Sequence, residues 1–404
     1  MPDPIAPFDP FDPDQARDAW PRLARMRAES PVVEIAKGMQ YVTRHAECRE
    51  VLRDPRAFSN ASGMKAPGIE IPLEDRLLGE LDPPRHTLVR RVMVTALAPK
   101  IVHAAEPFMR ETADALLAGL DDTSDLVPAF TVPLPNLVTV YMLGLDPADA
   151  TQLAAWAKGL MESTFPATNR TERGEGFAGA FPEFAAYIDA HIETRAAQLA
   201  DGSAPDDVLA RLLQITEEGE QLPRRQIRAL VRNLITGGLT TTSQLLGNLL
   251  HEILTKPEIE AAIRADDAAL GRAIEESLRL APPILFMARG CVHDVEIGGC
   301  PVHAGSRVIA GFAAANRDER VFEDPDRFRV DRANAEQHLT FGYGPHVCPG
   351  ASQARAVAAA GIRAFLERFP PGTVRLAPDF EFENVPTYFE RGPRHLPVQI
   401  HEPA

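Results

Sequence analysis

The sequence has few cysteines and no long apolar run. Four cysteines in 404 residues are too few for a disulfide framework, so we expect a reducing, cytoplasmic location. The longest apolar stretch, from Leu245 to Leu254, is interrupted by glycine, asparagine, histidine and glutamate and falls short of a membrane span. The segment from Met1 to Trp20 lacks both the basic and the apolar region of a signal peptide. We therefore predict a protein without a membrane segment.

Basic residues are also under-represented. Lys and Arg total 42 against 57 Asp and Glu, which gives a formal net charge of −15. This balance argues against binding to nucleic acid or to an anionic membrane surface. Hydrophobic residues make up 45% of the chain, as is normal for a globular protein. No internal repeat or low-complexity linker divides the sequence, so we predict one integral domain over residues 1–404, with a short N-terminal extension over about residues 1–15.

A glycine-rich loop that contains one cysteine is the most informative stretch. It is the segment FGYGPHVCPG at residues 341–350, and an alanine-rich helical pattern follows it. Its glycines and prolines hold the backbone in conformations that ordinary residues resist. Cys348 stands just before the expected helix start, where unpaired backbone N–H groups and the positive helix end favour a thiolate. Such a thiolate is a nucleophile or a metal ligand.

This segment resembles the haem-binding loop of cytochromes P450, Phe-Gly-x-Gly-x-His-x-Cys-x-Gly, at every fixed position. A lone cysteine is more often a small buried apolar residue, but the complete match favours the functional interpretation. In P450s a cysteine thiolate holds the haem. The resemblance implies haem b as the cofactor, Cys348 as the axial ligand of the iron, and His346 as a contact of a haem propionate.

The resemblance extends over nearly the whole chain, from Phe8 to Ile400. It implies a mainly α fold with a small β-rich part, the cytochrome P450 fold of soluble bacterial-type members. The implied activity is that of a haem-thiolate monooxygenase, an oxidoreductase that inserts one oxygen atom of O2 into a small hydrophobic substrate. No flavin-type or ferredoxin-type segment is present, so we expect electrons from a separate ferredoxin-type donor and its reductase.

Further residues match family positions around the haem. His86 and Arg90 are four residues apart and share one face of a predicted helix, which in isolation is usually a solvated basic face. The segment resembles the P450 helix that carries His-x-x-x-Arg toward the propionates, and arginine suits bidentate binding of a carboxylate. Arg289 matches the propionate-binding arginine of the family.

The longest helical pattern runs from Pro223 to Thr255 and contains ITGGLTTTS at residues 235–243. Glycines and β-branched residues are poor helix formers, and threonine hydroxyls can open the backbone ladder locally. By itself the pattern fits close helix packing as well as a functional groove. It resembles the P450 oxygen-binding groove, which makes Thr241 the catalytic threonine. Thr240 stands where the family usually has an acid, so the usual route of proton delivery is in question. Another acid, such as Glu390, or an ordered chain of water molecules is the alternative route.

A group of ion-paired residues is expected to hold the segment behind the haem loop in place. Glu276 and Arg279 are three residues apart, a spacing at which a surface pair contributes only a few tenths of a kcal/mol. In P450s this Glu-x-x-Arg pair is joined by an arginine of a later Pro-x-Arg-Phe segment, and Arg327 has that position here. The resemblance therefore implies a structural triad of Glu276, Arg279 and Arg327.

The family pattern also predicts substrate and partner contacts. The predicted pocket residues are apolar or small: Leu234, Gly238, Ile284, Phe286 and Phe389. They fit a medium-sized hydrophobic molecule, such as a terpenoid or an aromatic compound. The basic residues predicted to meet the electron donor are Arg91, Lys100 and Arg355.

Other interpretations remain open. A peroxide-driven haem-thiolate peroxygenase would suit the missing acid at Thr240. A haem-bound sensing or binding protein without turnover is opposed by Thr241 and by the complete set of propionate contacts. Cys291, His293, Cys300 and His303 lack the usual spacing of zinc ligands, and their alternation predicts a β-hairpin instead.

Overall fold

The computed structural model describes residues 9, 10, 12, 15, 19–63, 71–164, 176–217, 220–387 and 389–401. Most of the predicted N-terminal extension lies outside these residues. The sequence also predicts loops over residues 59–72 and 166–176, where it lacks helical periodicity. Much of the first loop and all but the last residue of the second lie outside the described residues. The single-domain organisation stays a prediction.

Helices make up most of the regular structure. Their bounds are α1 Trp20–Glu29, α2 His45–Arg53, α3 Arg85–Ala96, α4 Pro99–Ala104, α5 Glu106–Ala118, α6 Pro133–Leu143, α7 Ala150–Thr164, α8 Gly176–Ala180, α9 Pro182–Asp201, α10 Val208–Gln214, α11 Arg224–Thr255, α12 Pro257–Ala265, α13 Ala269–Leu280, α14 Phe312–Ala315 and α15 Ala351–Arg368. Short 3-10 turns and one π-helical segment, Val127–Thr131, connect them. In the described part of the chain, no helix is both long and apolar enough to cross a membrane.

The strands are short. They are β1 Val32–Ala36, β2 Met39–Val42, β3 Phe58–Ser59, β4 Thr123–Asp125, β5 Thr216–Glu217, β6 Glu220–Gln221, β7 Met287–Cys291, β8 Val295–Ile297, β9 Cys300–Val302, β10 Arg307–Ala310, β11 Val374–Leu376 and β12 Pro397–Ile400. The largest sheet has the order β1-β2-β10-β7-β3, and a second has the order β11-β12-β4. The alternating segments at residues 32–35 and 40–42, joined by Lys37 and Gly38, predict a hairpin. Strands β1 and β2 confirm it by pairing antiparallel, and Gly38 in the turn has a φ of 72°.

Helix α11 is the longest element, with 32 residues, and it begins one residue after the predicted Pro223. Its residues from Thr242 to Leu250 are all buried, so that neighbouring elements enclose this part of the helix on every side. A side-chain carbon at Gly247 would lie 2.9 Å from Pro393, which shows how closely the C-terminal segment approaches α11. The largest hydrophobic core surrounds α11, and α15 contributes its buried face to the same core.

The cysteine–histidine segment forms the predicted hairpin. Strands β8 and β9 pair antiparallel, and Gly298 and Gly299 between them have positive φ angles. The Cys291 thiol lies within hydrogen-bond distance of the His293 carbonyl and is buried in the core behind the main sheet. Strand pairing and core packing therefore account for the positions of the residues in this cysteine–histidine segment.

Candidate active site

The loop that carries Cys348 is held by its own backbone and by α2. The Cys348 N–H donates to the Phe341 carbonyl at 2.7 Å, which closes the loop. Gly342 and Gly344 have φ angles of 75° and 73°, where a side chain is strained. A side-chain carbon at Gly344 would also lie 2.8 Å from the carbonyl of Leu52, so the loop can approach α2 only because glycine stands there.

The Cys348 thiol lies at the start of α15. Gly350 is the N-cap residue, and its backbone N–H points at the Cys348 sulfur. The Cys348 side chain is exposed, but the surrounding protein atoms desolvate the thiol and raise its pKa, and this N–H group and the charges of Arg90 and Arg355 offset only part of that rise. The three neighbouring groups thus act in favour of the thiolate, against the effect of desolvation.

A cluster of imidazole and guanidinium groups lies beside this thiol. The rings of His86 and His346 stack with centroids 3.7 Å apart, and within the described residues both Nε2 atoms are buried without a hydrogen-bond partner. Burial, followed by the nearby charges of His86, Arg289 and Arg90, lowers the pKa of His346 to about 2. Burial and Arg90 lower the pKa of His86 to about 4.

This cluster fits the carboxylate groups of a haem. Two unpartnered imidazole nitrogens need a buried polar partner, since a buried polar group without one is costly. The charges of Arg90 and Arg289 would be stabilised by carboxylates. Burial lowers the pKa of Arg289 to about 10, which is the effect expected for a guanidinium in a poorly solvated place. The structure therefore brings together all five residues that were predicted to bind the cofactor: Cys348, His346, His86, Arg90 and Arg289.

The predicted oxygen groove lies in the middle of α11. The Thr241 hydroxyl donates to the Gly237 carbonyl at 2.8 Å, one turn back. A side-chain carbon at Gly238 would lie 3.0 Å from the Thr139 hydroxyl oxygen, so this glycine permits the close approach of α6. The packing interpretation of the glycine–threonine pattern therefore applies to Gly238, whereas the role of Thr241 at the oxygen site stays a prediction.

The structural triad differs from the prediction in one member. Glu276 and Arg279 are fully buried and paired, with Nε and Nη2 at 2.7 and 2.8 Å from the carboxylate oxygens. The third member is Arg332, whose Nε lies 2.9 and 3.0 Å from the same carboxylate. Arg327 is exposed, and only its backbone carbonyl accepts from Arg279 and Arg332. The prediction of Arg327 was wrong because the loop between α14 and α15 directs the side chain of Arg332, five residues later, toward Glu276.

The aromatic residues predicted for the pocket are packed in a core cluster. Phe286 and Phe389 are buried, and their rings meet edge to face with centroids 5.5 Å apart. They share a hydrophobic cluster with residues of α1 and the main sheet. Leu234 and Ile284 keep partial exposure. Their contact with a substrate stays a prediction, and the packing of the two phenylalanines does not support the same role for them.

Comparison with known proteins identifies the chain. The family model described as cytochrome P450 matches residues 160–379. Erythromycin C-12 hydroxylase of Saccharopolyspora erythraea is 31% identical over 380 residues, which cover 93% of each chain. The chain belongs to the cytochrome P450 family. It is thus a cytochrome P450 monooxygenase, an oxidoreductase, and the family implies a haem-thiolate cofactor.

Solved P450 structures share the fold. Cytochrome P450 CYP109Q5 from Chondromyces apiculatus is 30% identical, with a TM-score of 0.86 over 98% of this chain and 99% of its own. CYP109E1 from Bacillus megaterium, in complex with testosterone, is 27% identical, with a TM-score of 0.81 over 97% of this chain and 99% of its own. The mainly helical P450 fold predicted from the sequence is confirmed.

One residue of the structural triad of this P450 was missed from the sequence. Arg332 could have been considered because it follows the Pro-x-Arg-Phe segment by four residues, although Arg329 stands between them. Glu390, named from the sequence as a possible substitute for the missing acid, does contact Thr240: its carboxylate accepts a hydrogen bond from the Thr240 hydroxyl at 3.0 Å. No local pattern predicts this contact, since the two residues are 150 positions apart in the chain.

The thiolate environment of this P450 contains proline where a backbone N–H would otherwise be available. Pro349 follows the predicted ligand, and it precedes the N-cap residue rather than starting α15. Proline has no N–H, so the sulfur lacks one possible hydrogen-bond donor. Because hydrogen bonds to the sulfur withdraw electron density, we expect Pro349→Leu to raise the ferric/ferrous potential, measured by spectroelectrochemical titration without substrate.

A matched variant tests the cause of this change in potential. Pro349→Ala restores the same N–H with a smaller side chain and is expected to raise the potential as well. If the potential of both variants stays the same or falls while thiolate ligation is retained, the missing N–H has no influence on the sulfur.

Proposed function

We propose that this P450 inserts one oxygen atom of O2 into a small hydrophobic organic molecule at a haem b bound through Cys348. The observation that carries the proposal is the position of the Cys348 thiol beside two arginines and two imidazoles whose buried Nε2 atoms have no hydrogen-bond partner in the described part of the chain. The thiol is the ligand type that activates haem iron for oxygen chemistry. The neighbouring cluster has the number and kind of groups that two propionates require.

Each group in the cluster would have a defined task. Bound haem would supply the redox and oxygen chemistry that amino-acid side chains lack. Cys348, held as a thiolate, would donate the electron density that favours O–O cleavage. The His86 and His346 nitrogens would donate to propionate oxygens, and Arg90 and Arg289 would balance their charge.

Helix α11 would supply the polar groups of the oxygen groove. The Thr241 hydroxyl donates its proton to the Gly237 carbonyl, so its oxygen keeps acceptor capacity. The Thr240 hydroxyl donates to Glu390. A hydroxyl group can relay a proton, but it does not store one as a carboxyl group does. We therefore propose that both threonines act as relays and positioning groups.

Electrons are proposed to come from a ferredoxin-type protein and its reductase, which would dock over the thiolate loop. Arg355 follows this loop on α15, and its side chain is 39% exposed. It also forms a bidentate pair with Glu275 at 2.6 and 2.8 Å, so its charge is partly balanced within the protein. Lys100 is exposed on α4. These two residues support a local basic contact on an otherwise acidic protein.

The substrate is proposed to be hydrophobic. Leu234 and Ile284 are apolar and partly exposed; Leu234 directly precedes the groove segment on α11, and Ile284 follows α13. Among the relatives, one is named for the hydroxylation of erythromycin and another was solved with testosterone. Both names support a bulky organic substrate for this chain.

The test combines binding and turnover. Spectral titration of the ferric protein against steroids, macrolides, terpenoids and aromatic compounds should identify those that displace the water ligand of the iron. Ferredoxin, its reductase and NADPH should then convert such a compound to a product heavier by one oxygen atom. The proposal is contradicted if compounds bind but only unchanged compound is recovered with every electron source.

A peroxide-driven reaction is the second candidate, because Thr240 replaces the usual acid. Hydrogen peroxide alone would then support turnover, and ferredoxin with reductase would not improve it. If the carboxyl group of Glu390 beside Thr240 takes the place of that acid, turnover with dioxygen and reductant should instead be faster than turnover with peroxide.

A further inference from the structure

Glu390 is a buried carboxyl group that contacts the oxygen-groove helix. Its residue is 8% exposed and lies in the C-terminal segment before β12. One carboxylate oxygen accepts from the Thr240 hydroxyl at 3.0 Å, and the other accepts from the Gln244 amide nitrogen at 3.0 Å. Thr240 and Gln244 are one turn apart on α11, so the carboxyl group spans one face of that helix.

The position of Glu390 is determined by its backbone. Glu390 forms an antiparallel bridge with Ile284, its N–H donates to the Thr387 hydroxyl at 2.9 Å, and its carbonyl accepts from Asn384 at 3.1 Å. These contacts hold the segment on both sides of the residue. The carboxyl group is therefore directed at α11 by an ordered segment.

No cation neutralises this carboxyl group among the described residues. Both of its side-chain partners are uncharged. The adjacent Arg391 directs its guanidinium carbon over the rings of Trp20 and Phe382, 4.9 and 5.1 Å from their centroids. Burial raises the pKa of Glu390, and the hydrogen bonds from Gln244 and Thr240 offset only part of that effect. The side chain thus holds a proton more readily than an ordinary glutamate does.

We propose that Glu390 supplies to the oxygen groove the carboxyl group that α11 lacks at position 240, with the Thr240 hydroxyl as the connecting relay. The inference rests on the proposed monooxygenase function. The carboxyl group lies within hydrogen-bond distance of the hydroxyl that replaces the acid, which is the distance a relay requires. Gln244 positions the carboxyl group, and the buried oxygen of its amide has no partner among the described residues.

The proton balance of the step is simple. Monooxygenation consumes O2, two electrons from the reductase system and two protons, and it yields oxygenated substrate and water. When Glu390 is protonated, it donates to the Thr240 oxygen, and the Thr240 hydroxyl turns its own proton toward the groove. Glu390 then gives its proton to the Thr240 oxygen as this hydroxyl proton leaves for the groove. The resulting carboxylate then takes a proton from solvent, so Glu390 is unchanged after each turnover.

A purely structural role is the competing explanation, because Glu390 also ties the C-terminal segment to α11. Glu390→Gln separates the structural role from the proton-donating role. An amide can keep the contacts with Thr240 and Gln244, but it cannot donate a proton as an acid does. Glu383→Gln is the matched control: Glu383 lies on the same segment, and its half-exposed side chain pairs with Arg394 at 2.7 Å.

Infrared spectroscopy provides a readout that does not depend on turnover. The protein should show the carbonyl-stretching band of a protonated carboxylic acid that shifts in deuterated water. This band should be lost in Glu390→Gln and kept in Glu383→Gln. A spectrum in which Glu390→Gln removes only carboxylate bands contradicts the proposal, because Glu390 would then be a permanently charged structural group.

Coupling of reductant to product provides the second readout. A positioned proton donor typically accelerates a reaction about 10²–10⁴-fold. We therefore expect Glu390→Gln to lower the amount of product formed per NADPH at least about tenfold, with peroxide released instead. Adding Thr240→Asp to Glu390→Gln should restore coupling, since it returns an acid to the helix. Unchanged coupling in Glu390→Gln overturns the inference.

Two controls separate the possible failures. If the unaltered protein gives no product with dioxygen and reductant, the proposed function fails, whereas normal turnover that is insensitive to Glu390→Gln contradicts only this inference. If Glu390→Gln does not fold, Thr240→Val removes the relay and leaves the carboxyl group in place. Thr240→Val must then show the same loss of coupling for the inference to stand.

Discussion

Replacing Cys348 with histidine is expected to abolish the red-shifted Soret band of the reduced, carbon monoxide-bound protein. A thiolate ligand donates electron density to haem iron, and a neutral imidazole does not do so to the same extent. Cys348 has the N–H of Gly350 and the charge of Arg90 beside its sulfur, and both favour the thiolate. The loss of the band should be complete, and monooxygenation should be lost with it.

The other cysteines provide the controls for this experiment. Cys48 is buried, its thiol lies 3.4 Å from the Val42 carbonyl, and burial raises its pKa. Cys300 lies in the β8–β9 hairpin, where its sulfur is 3.7 Å from the Ser30 hydroxyl. Cys300→Ser should therefore retain the band at full intensity. If Cys348→His retained the band instead, Cys348 could not be the ligand.

Replacing Arg332 with methionine is expected to destabilise the protein by about 3 kcal/mol. Glu276 is fully buried, and Arg332 supplies two of its charge-assisted contacts. Removing one partner of a buried ion pair leaves a poorly compensated charge, which typically costs ~3–5 kcal/mol. We expect a value at the lower end of this range because Arg279 and the Arg329 N–H still contact the Glu276 carboxylate. The shift of the urea unfolding midpoint of the haem-loaded protein measures this cost.

Arg327→Met is the matched control for the triad. The Arg327 side chain is exposed, and its backbone carbonyl remains after the substitution, so we expect a change within ~0.5 kcal/mol. If Arg327→Met were instead the more damaging substitution, the triad predicted from the family pattern would be correct. The comparison thus separates the residue that occupies the motif position from the residue that makes the contact.

The cost of Arg332→Met should depend on pH. Burial alone would raise the pKa of Glu276, but hydrogen bonds and charge from Arg279 and Arg332 lower it overall. A lowered folded-state pKa contributes stability that is present above the unfolded-state pKa and is lost as the pH falls through the folded-state value. The difference between the unaltered protein and Arg332→Met should therefore shrink in acid.

Much of the fold and of the cofactor site could be predicted because it depends on local sequence. The cysteine loop needs glycine at positions 342 and 344, where φ is positive, and this requirement appears in the sequence itself. The boundaries of α11 follow from a long helical pattern that begins after a proline. The turn at Gly38 likewise predicted the first hairpin. In each case the information lies within a few residues of the element it determines.

The tertiary structure decided which distant side chains meet. Arg327 and Arg332 have the same charge, and only the path of the loop between α14 and α15 determines that Arg332 reaches Glu276. Glu390 reaches Thr240 because a β-bridge and a hydrogen-bonded loop place it against α11. Sequence periodicity describes the faces of a single helix or strand. It carries no information on which charge a separate segment brings to that face, because this depends on how the whole chain packs.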